Sequence, residues 1–127
     1  GEIMEQASSI SYKRVLVATG IAAAVNASLF AIGSATGATW DVGQPFLVGI
    51  GMVLGATLAP MLLGGLVTKF AVGKWARLQG ILAWGGLAFA IVSSPGGFIA
   101  SSDLATSIAL GLMHVIVGVA WFFGIKK

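Results

Sequence analysis

Residues Leu104–Lys127 read LATSIALGLMHVIVGVAWFFGIKK. No charge interrupts the run from Leu104 to Ile125, and it then stops on Lys126 and Lys127. A helix needs about 20 apolar residues to cross a hydrocarbon core about 30 Å thick, and this run is long enough. Three more uncharged runs meet the same requirement: Val15–Trp40, Val42–Thr68 and Leu78–Ser102. The seven Lys and Arg residues all fall on one side of this fourfold pattern. Lys13 and Arg14 precede the first run, Lys69, Lys74 and Arg77 separate the second from the third, and Lys126 and Lys127 follow the fourth. The other two connections hold Asp41 and Asp103 and no cation. Short loops rich in Lys and Arg stay cytoplasmic. The expected fold is therefore all-α: a polytopic membrane protein, a four-transmembrane-helix bundle with both termini inside (N-in/C-in).

Composition agrees. Of 127 residues, 57% are hydrophobic and 9% charged, more apolar surface than a soluble domain of this size can hide. Residues 1–127 are expected to form a single transmembrane domain in the inner (plasma) membrane of the cell. The first run follows Lys13 and Arg14 as a signal peptide would, but it is too long for one and is expected to be a retained span. The net charge of +3 belongs to the loop and terminal anchors, so nucleic acid is not an expected partner. These cations can touch anionic headgroups, at about 1 kcal/mol each. With no cysteine, disulfides and thiolate metal sites are excluded.

The helices are expected at about residues 12–32, 45–70, 77–92 and 103–124, with residues 1–11 as a cytoplasmic tail or interfacial turn. Turn formers mark the outer loop from Gly33 to Pro45, with Trp40 resting at the outer interface. Pro45 suits the first turn of the second helix, and Pro60 is expected to kink it. Ser93–Gly97 reads as an outer turn, and Asp103 as the N-cap of the last helix. A reporter fused after Lys127 should be cytoplasmic, and labels at Thr39 and Ser101 should react from outside. The opposite labelling would overturn the orientation or the helix count.

Helices in lipid associate through small residues and interhelical hydrogen bonds. The expected packing stripes are Thr19, Ala22, Ala23, Asn26 and Gly33 on helix 1, and Gly51, Gly55 and Ala59 on helix 2. On helix 3 they are Gln79, Ala83, Gly86, Ala90 and Ser93, and on helix 4 Ser107, Gly111, His114 and Gly118. They serve packing within the bundle or, in the minority reading, an oligomer interface. Counted from the inner anchors at 1.5 Å per residue, Asn26, Thr57 and His114 each lie roughly 18 Å deep. They are the candidate mid-membrane polar link, with an Asn26–His114 hydrogen bond expected if helices 1 and 4 are neighbours. Thr57 points away from the Gly51–Gly55 stripe, and its hydroxyl can bond back to the Val53 carbonyl. His114 is the only ionisable side chain within a span. It reads either as a neutral hydrogen-bonded residue or as part of a proton or ion path.

The stretch from Ser93 onward resembles a bacterial family of small four-helix membrane proteins of unknown function. The resemblance rests on Ser93-Ser94-Pro95, a Ser-x-Pro turn, and on Leu112-Met113-His114 in the last apolar helix. The arginine-headed first span and uncharged second span also fit. The resemblance implies a four-helix membrane fold, brings no activity, and singles out Pro95 and His114. The chain is superficially similar to small multidrug transporters as well, but where those carry a membrane-embedded glutamate this chain has Asn26.

One histidine, no cysteine and two acids in outer connections provide no nucleophile–base pair and no metal set. The expected protein is not an enzyme, and no catalytic residue, metal or cofactor is assigned. The leading expectation is an accessory or assembly subunit, or a scaffold, in a membrane complex, with the lipid bilayer and either a membrane-protein partner or further copies of itself as partners. The alternative is a small homo-oligomeric channel or transporter that uses Asn26 and His114.

Overall fold

A computed structural model describes residues 10–99 and 101–126. The tail reading for residues 1–9 and the terminal cation Lys127 lie outside the described residues. Among the described residues four helices follow one another: α1 (Tyr12–Ala35), α2 (Ile50–Lys74), α3 (Leu78–Phe98) and α4 (Leu104–Ile125). Each is long and apolar enough to cross a membrane. Large apolar side chains cover the outside of the bundle, Phe70, Phe89, Val92 and Ile99 among them. The chain is a multi-pass membrane protein by this architecture.

The helix limits differ from the expected ones for local reasons. α1 begins after Ser11, whose hydroxyl accepts from the Arg14 N–H. It runs on to Ala35, where the Thr36 hydroxyl donates to the Ile32 and Gly33 carbonyls. α2 starts at Ile50 rather than Pro45, because the preceding segment folds on itself. Asp41 pairs with Leu47 in an antiparallel bridge, and the Val48 N–H donates to the Trp40 carbonyl at 2.9 Å. α2 then continues past Phe70, carrying Val72 into a cluster with Ile10, Val15, Ala83 and Ile125.

α3 shows the largest correction. Ser93–Gly97, expected as a turn, lies inside the helix. Pro95 has no N–H to give the Ile91 carbonyl four residues back. The Ser94 hydroxyl donates to that carbonyl instead, at 2.7 Å. The serine before the proline thus replaces the lost bond and lets the helix pass through it.

The helices pack in the order α3, α4, α1, α2, and α2 makes only marginal contact with α3 and α4. Small residues set the close seams. A Cβ on Gly118 would lie 2.5 Å from the Ala90 Cβ, and one on Gly111 would run into the Phe98 ring. Gly65 of α2 faces Val15 of α1 in the same way. At the basic end Gln79 donates to the Ile125 carbonyl at 2.8 Å, engaging one of the carbonyls left open at the end of α4. Lys126 sits over the Phe122 and Trp84 rings, 4.9 and 5.2 Å from their centroids.

At the opposite end the α1–α2 loop folds inward. Trp40, expected at the interface, is buried. It adopts φ 60, a left-handed conformation uncommon for a bulky residue. Its surroundings compel this. The indole stacks on Phe30 at 4.5 Å, fits against Gly33, and donates to the Ser34 hydroxyl at 3.0 Å. The Trp40 N–H donates to Thr106 at 2.9 Å and the Thr39 N–H to Asp103 at 2.6 Å, so the loop is fastened to α4.

Asp103 caps α4, accepting from the Ala105 N–H. The Thr106 hydroxyl, then the Thr39 N–H, hold its carboxyl below the usual carboxylate range, against a smaller opposing effect of desolvation. A lowered folded-state pKa contributes stability that is complete above the unfolded value, about 3.9, and is lost as pH falls through the lowered one. Resistance to unfolding should therefore hold from neutral pH down to about 5 and fall in stronger acid. Asp103→Asn should flatten that acid-induced fall. An unchanged acid profile in thermal unfolding would remove Asp103 from the account.

Candidate functional site: a lateral cleft at mid-span

α2 stands off from α3, and a cavity of about 530 Å³ opens between them. Met52, Ala56 and Pro60 of α2 form one wall, Gly86, Phe89 and Ser93 of α3 the other, and His114 and Val117 of α4 the back. Asn26 of α1 joins the lining beside Thr57. Towards the basic end lies Trp121, whose indole N–H donates to the Leu82 carbonyl at 2.9 Å. Its ring lies against Gly86 of α3 and Gly64 of α2, where a Cβ on either glycine would meet it. Val48 lines the cavity towards the other end.

The three residues singled out at mid-depth all line this one cavity. Their bonding differs from the expected link. Asn26 donates through Nδ2 to the Thr57 hydroxyl at 2.9 Å. The Thr57 hydroxyl donates back to the Val53 carbonyl at 2.8 Å. Both residues are almost fully buried. His114 is exposed and places Nδ1 2.8 Å from the carbonyl of Leu110, one turn earlier on its own helix. The expected Asn26–His114 bond is therefore replaced by an Asn26–Thr57 bond, although α1 and α4 do pack together. The physical reason is the rotation of α2. Its buried face is Val53, Thr57, Met61, Gly65, Thr68 and Val72, which turns Thr57 towards α1.

The same rotation carries Gly51 and Gly55 outward. A Cβ on either would meet nothing within 4 Å, so neither packs against the described residues of the bundle. Gly111 and Gly118 do lie on the α3–α4 seam. Pro60 lies inside α2 on the cavity wall and, lacking an N–H, cannot engage the Ala56 carbonyl.

The place of Trp121 on the cleft and the bond by which the Ser94 hydroxyl carries the helix through Pro95 were not read from the sequence. Trp121 had a usable signal: it lies one helical turn beyond Val117 and two beyond His114, on the polar side of α4. Nothing in the sequence indicated that Asn26 Oδ1 would be buried without a hydrogen-bond partner, as it is. Among the described residues, no group of three or more His, Asp or Glu side chains is placed to hold a metal ion.

No curated protein and no solved structure matches this chain. A family model does match, over residues 6–127, and its description is a family of unknown function, DUF6069. The four spans, the cleft and the Leu112-Met113-His114 segment all lie within that match, and the chain belongs to the DUF6069 family.

Proposed function

We propose that this protein is a non-enzymatic accessory or scaffold subunit of a membrane complex, which works by binding within the bilayer. The observation that carries this reading is the one-sided packing of α2. It lies along α1, barely touches α3 and α4, and so leaves a cleft on one flank. Its Gly51 and Gly55 edge is bare, a surface on which another transmembrane helix can approach closely. The polar groups of the cleft suit binding better than catalysis. The Thr57, Ser93 and His114 protons go to carbonyls of their own helices, at Val53, Ala90 and Leu110. Among the described residues that line the cleft, no hydroxyl is held by a base.

Orientation follows from the charges. Lys13, Arg14, Lys69, Lys74, Arg77 and Lys126 fall at one end of the bundle, which we place in the cytoplasm with both termini. The test of the accessory role is co-purification from native membranes in mild detergent. The protein should elute with a larger membrane complex and crosslink to one defined partner. Gly51→Ile and Gly55→Ile should release it while leaving its own helicity and unfolding intact. A stable, solitary monomer with no crosslinked partner would sink this reading.

One observation favours the alternative of a homo-oligomeric channel or transporter: Asn26, Thr57 and His114 line one cavity. That reading expects a defined homo-oligomer and a flux altered by His114→Ala. Unchanged flux in reconstituted vesicles would remove it.

A further inference from the structure

The hydrogen-bonding groups of the cleft are unbalanced, and the imbalance specifies a ligand. The Thr57 hydroxyl has one proton, and the Val53 carbonyl takes it. Thr57 can therefore meet Asn26 only as an acceptor, which fixes the amide orientation with Nδ2 towards Thr57. Asn26 Oδ1 is left buried with no partner among the described residues, in a residue only 1% exposed. The Leu110 carbonyl cannot donate, so His114 Nδ1 carries the proton of that contact. In the uncharged ring the lone pair then lies on Nε2. Pro60 adds a third acceptor by leaving the Ala56 carbonyl without its helical N–H.

The donors, by contrast, are engaged. Ser93 and Thr57 give their protons to Ala90 and Val53, and Trp121 gives its indole N–H to Leu82. Of the side-chain protons on the described lining residues, only the second amide proton of Asn26 remains. Among the described residues, no Lys, Arg, Asp or Glu lines the cavity. Its size falls in the range of about 300–1,000 Å³ usual for small-molecule sites. An acyl chain alone would leave the Asn26 oxygen unpaired in an apolar surrounding, which is costly.

We propose that the α2–α3 cleft binds a neutral, mostly apolar amphiphile that carries a hydroxyl or N–H donor, and that Asn26 Oδ1 and His114 Nε2 receive it. This rests on the reading of the cleft as a binding site and adds the chemical class of its occupant. The long axis of the ligand enters from the bilayer between α2 and α3, with its donor held at mid-span.

The test uses the full chain in lipid nanodiscs and a dodecanol carrying a mid-chain diazirine. Photolabelling should map to cleft residues such as Met52 and Phe89. Unlabelled 1-dodecanol should compete about tenfold better than methyl dodecyl ether, which has the same chain and no donor. Asn26→Leu should erase that preference. His114→Leu, at an exposed position bonded only to its own helix, should reduce it without risk to the fold. Ala56→Trp should fill the cleft and abolish labelling while helicity is kept. Equal competition by alcohol and ether, or a preference unchanged in both the Asn26 and His114 variants, would overturn the donor inference and leave the cleft as a binding site. Labelling scattered over the lipid-facing surface, unaffected by Ala56→Trp, would overturn the binding site itself.

Discussion

Gly97→Ala should destabilise the protein by about 1–3 kcal/mol, although it adds a single methyl group. The added carbon would lie 2.9 Å from both the Gly111 nitrogen and the Leu110 carbonyl carbon, and 3.0 Å from the Gly111 Cα. These are backbone atoms of α4 and cannot swing aside as a side chain end can. The α3–α4 seam must open, and Ala90 against Gly118 and Phe98 against Gly111 open with it. The intrinsic preference of a helix for alanine, up to about 1 kcal/mol, works the other way and is too small to win. Gly51→Ala is the matched control. Its methyl would meet nothing within 4 Å, so its stability should stay near that of the parent or rise slightly. Unfolding in detergent, titrated with a denaturing surfactant, separates the two. Equal midpoints for both variants would show that the α3–α4 contact is looser than described.

The second large effect is an asymmetry between two hydrogen-bonded partners. Thr57→Val should destabilise by about 1–3 kcal/mol, because it leaves the buried Asn26 amide without an acceptor for Nδ2 while Oδ1 is already unpaired. Asn26→Leu should do the reverse. It gives up one interhelical bond, worth about 0.6 kcal/mol on average in membranes, and removes an unpaired oxygen whose burial costs about 1–3 kcal/mol. The net expectation is a protein as stable as the parent, or more stable by about 1 kcal/mol. Combining the two substitutions should restore most of the loss caused by Thr57→Val alone. Equal destabilisation by both single variants would mean that Oδ1 has a partner in the membrane. A gain on deleting Asn26 would mark it as a residue retained for binding at some expense of stability.

Charge and length made the four spans and their shared basic end legible. Rotation of each helix about its axis was harder to read, because nearly every position is apolar and lipid offers no polar side to sort against. Small and polar residues carried that information instead. On α1 they formed one stripe, and Thr19, Ala22, Asn26 and Gly33 are indeed its buried face. On α4 Gly111 and Gly118 were read the same way, but His114 beside them turns outward to the cleft. α2 carried two competing stripes. Gly51, Gly55 and Ala59 looked the more distinctive, yet the buried face is the one holding both Thr57 and Thr68. A threonine can satisfy its hydroxyl on its own helix and also accept across a seam, and glycine offers only space. The cleft itself was not legible. It exists because α2 and α3 fail to close on each other, which is a property of pairs of helices and has no signature in either one.

The fastening of Thr39 and Trp40 to Asp103 and Thr106 sets an order of assembly. The two ends of those bonds are 64 and 66 residues apart in the chain, so the first helical hairpin is synthesised long before its loop can take its final form. Until α4 arrives, Trp40 lacks its Thr106 bond and contact with the Ala109 and Met113 cluster. α4 is therefore the span that sets the loop between α1 and α2, which are made before it. A nascent chain halted before Asp103 would hold α1, α2 and α3 with an open, protease-sensitive α1–α2 loop, and release of α4 would latch it shut.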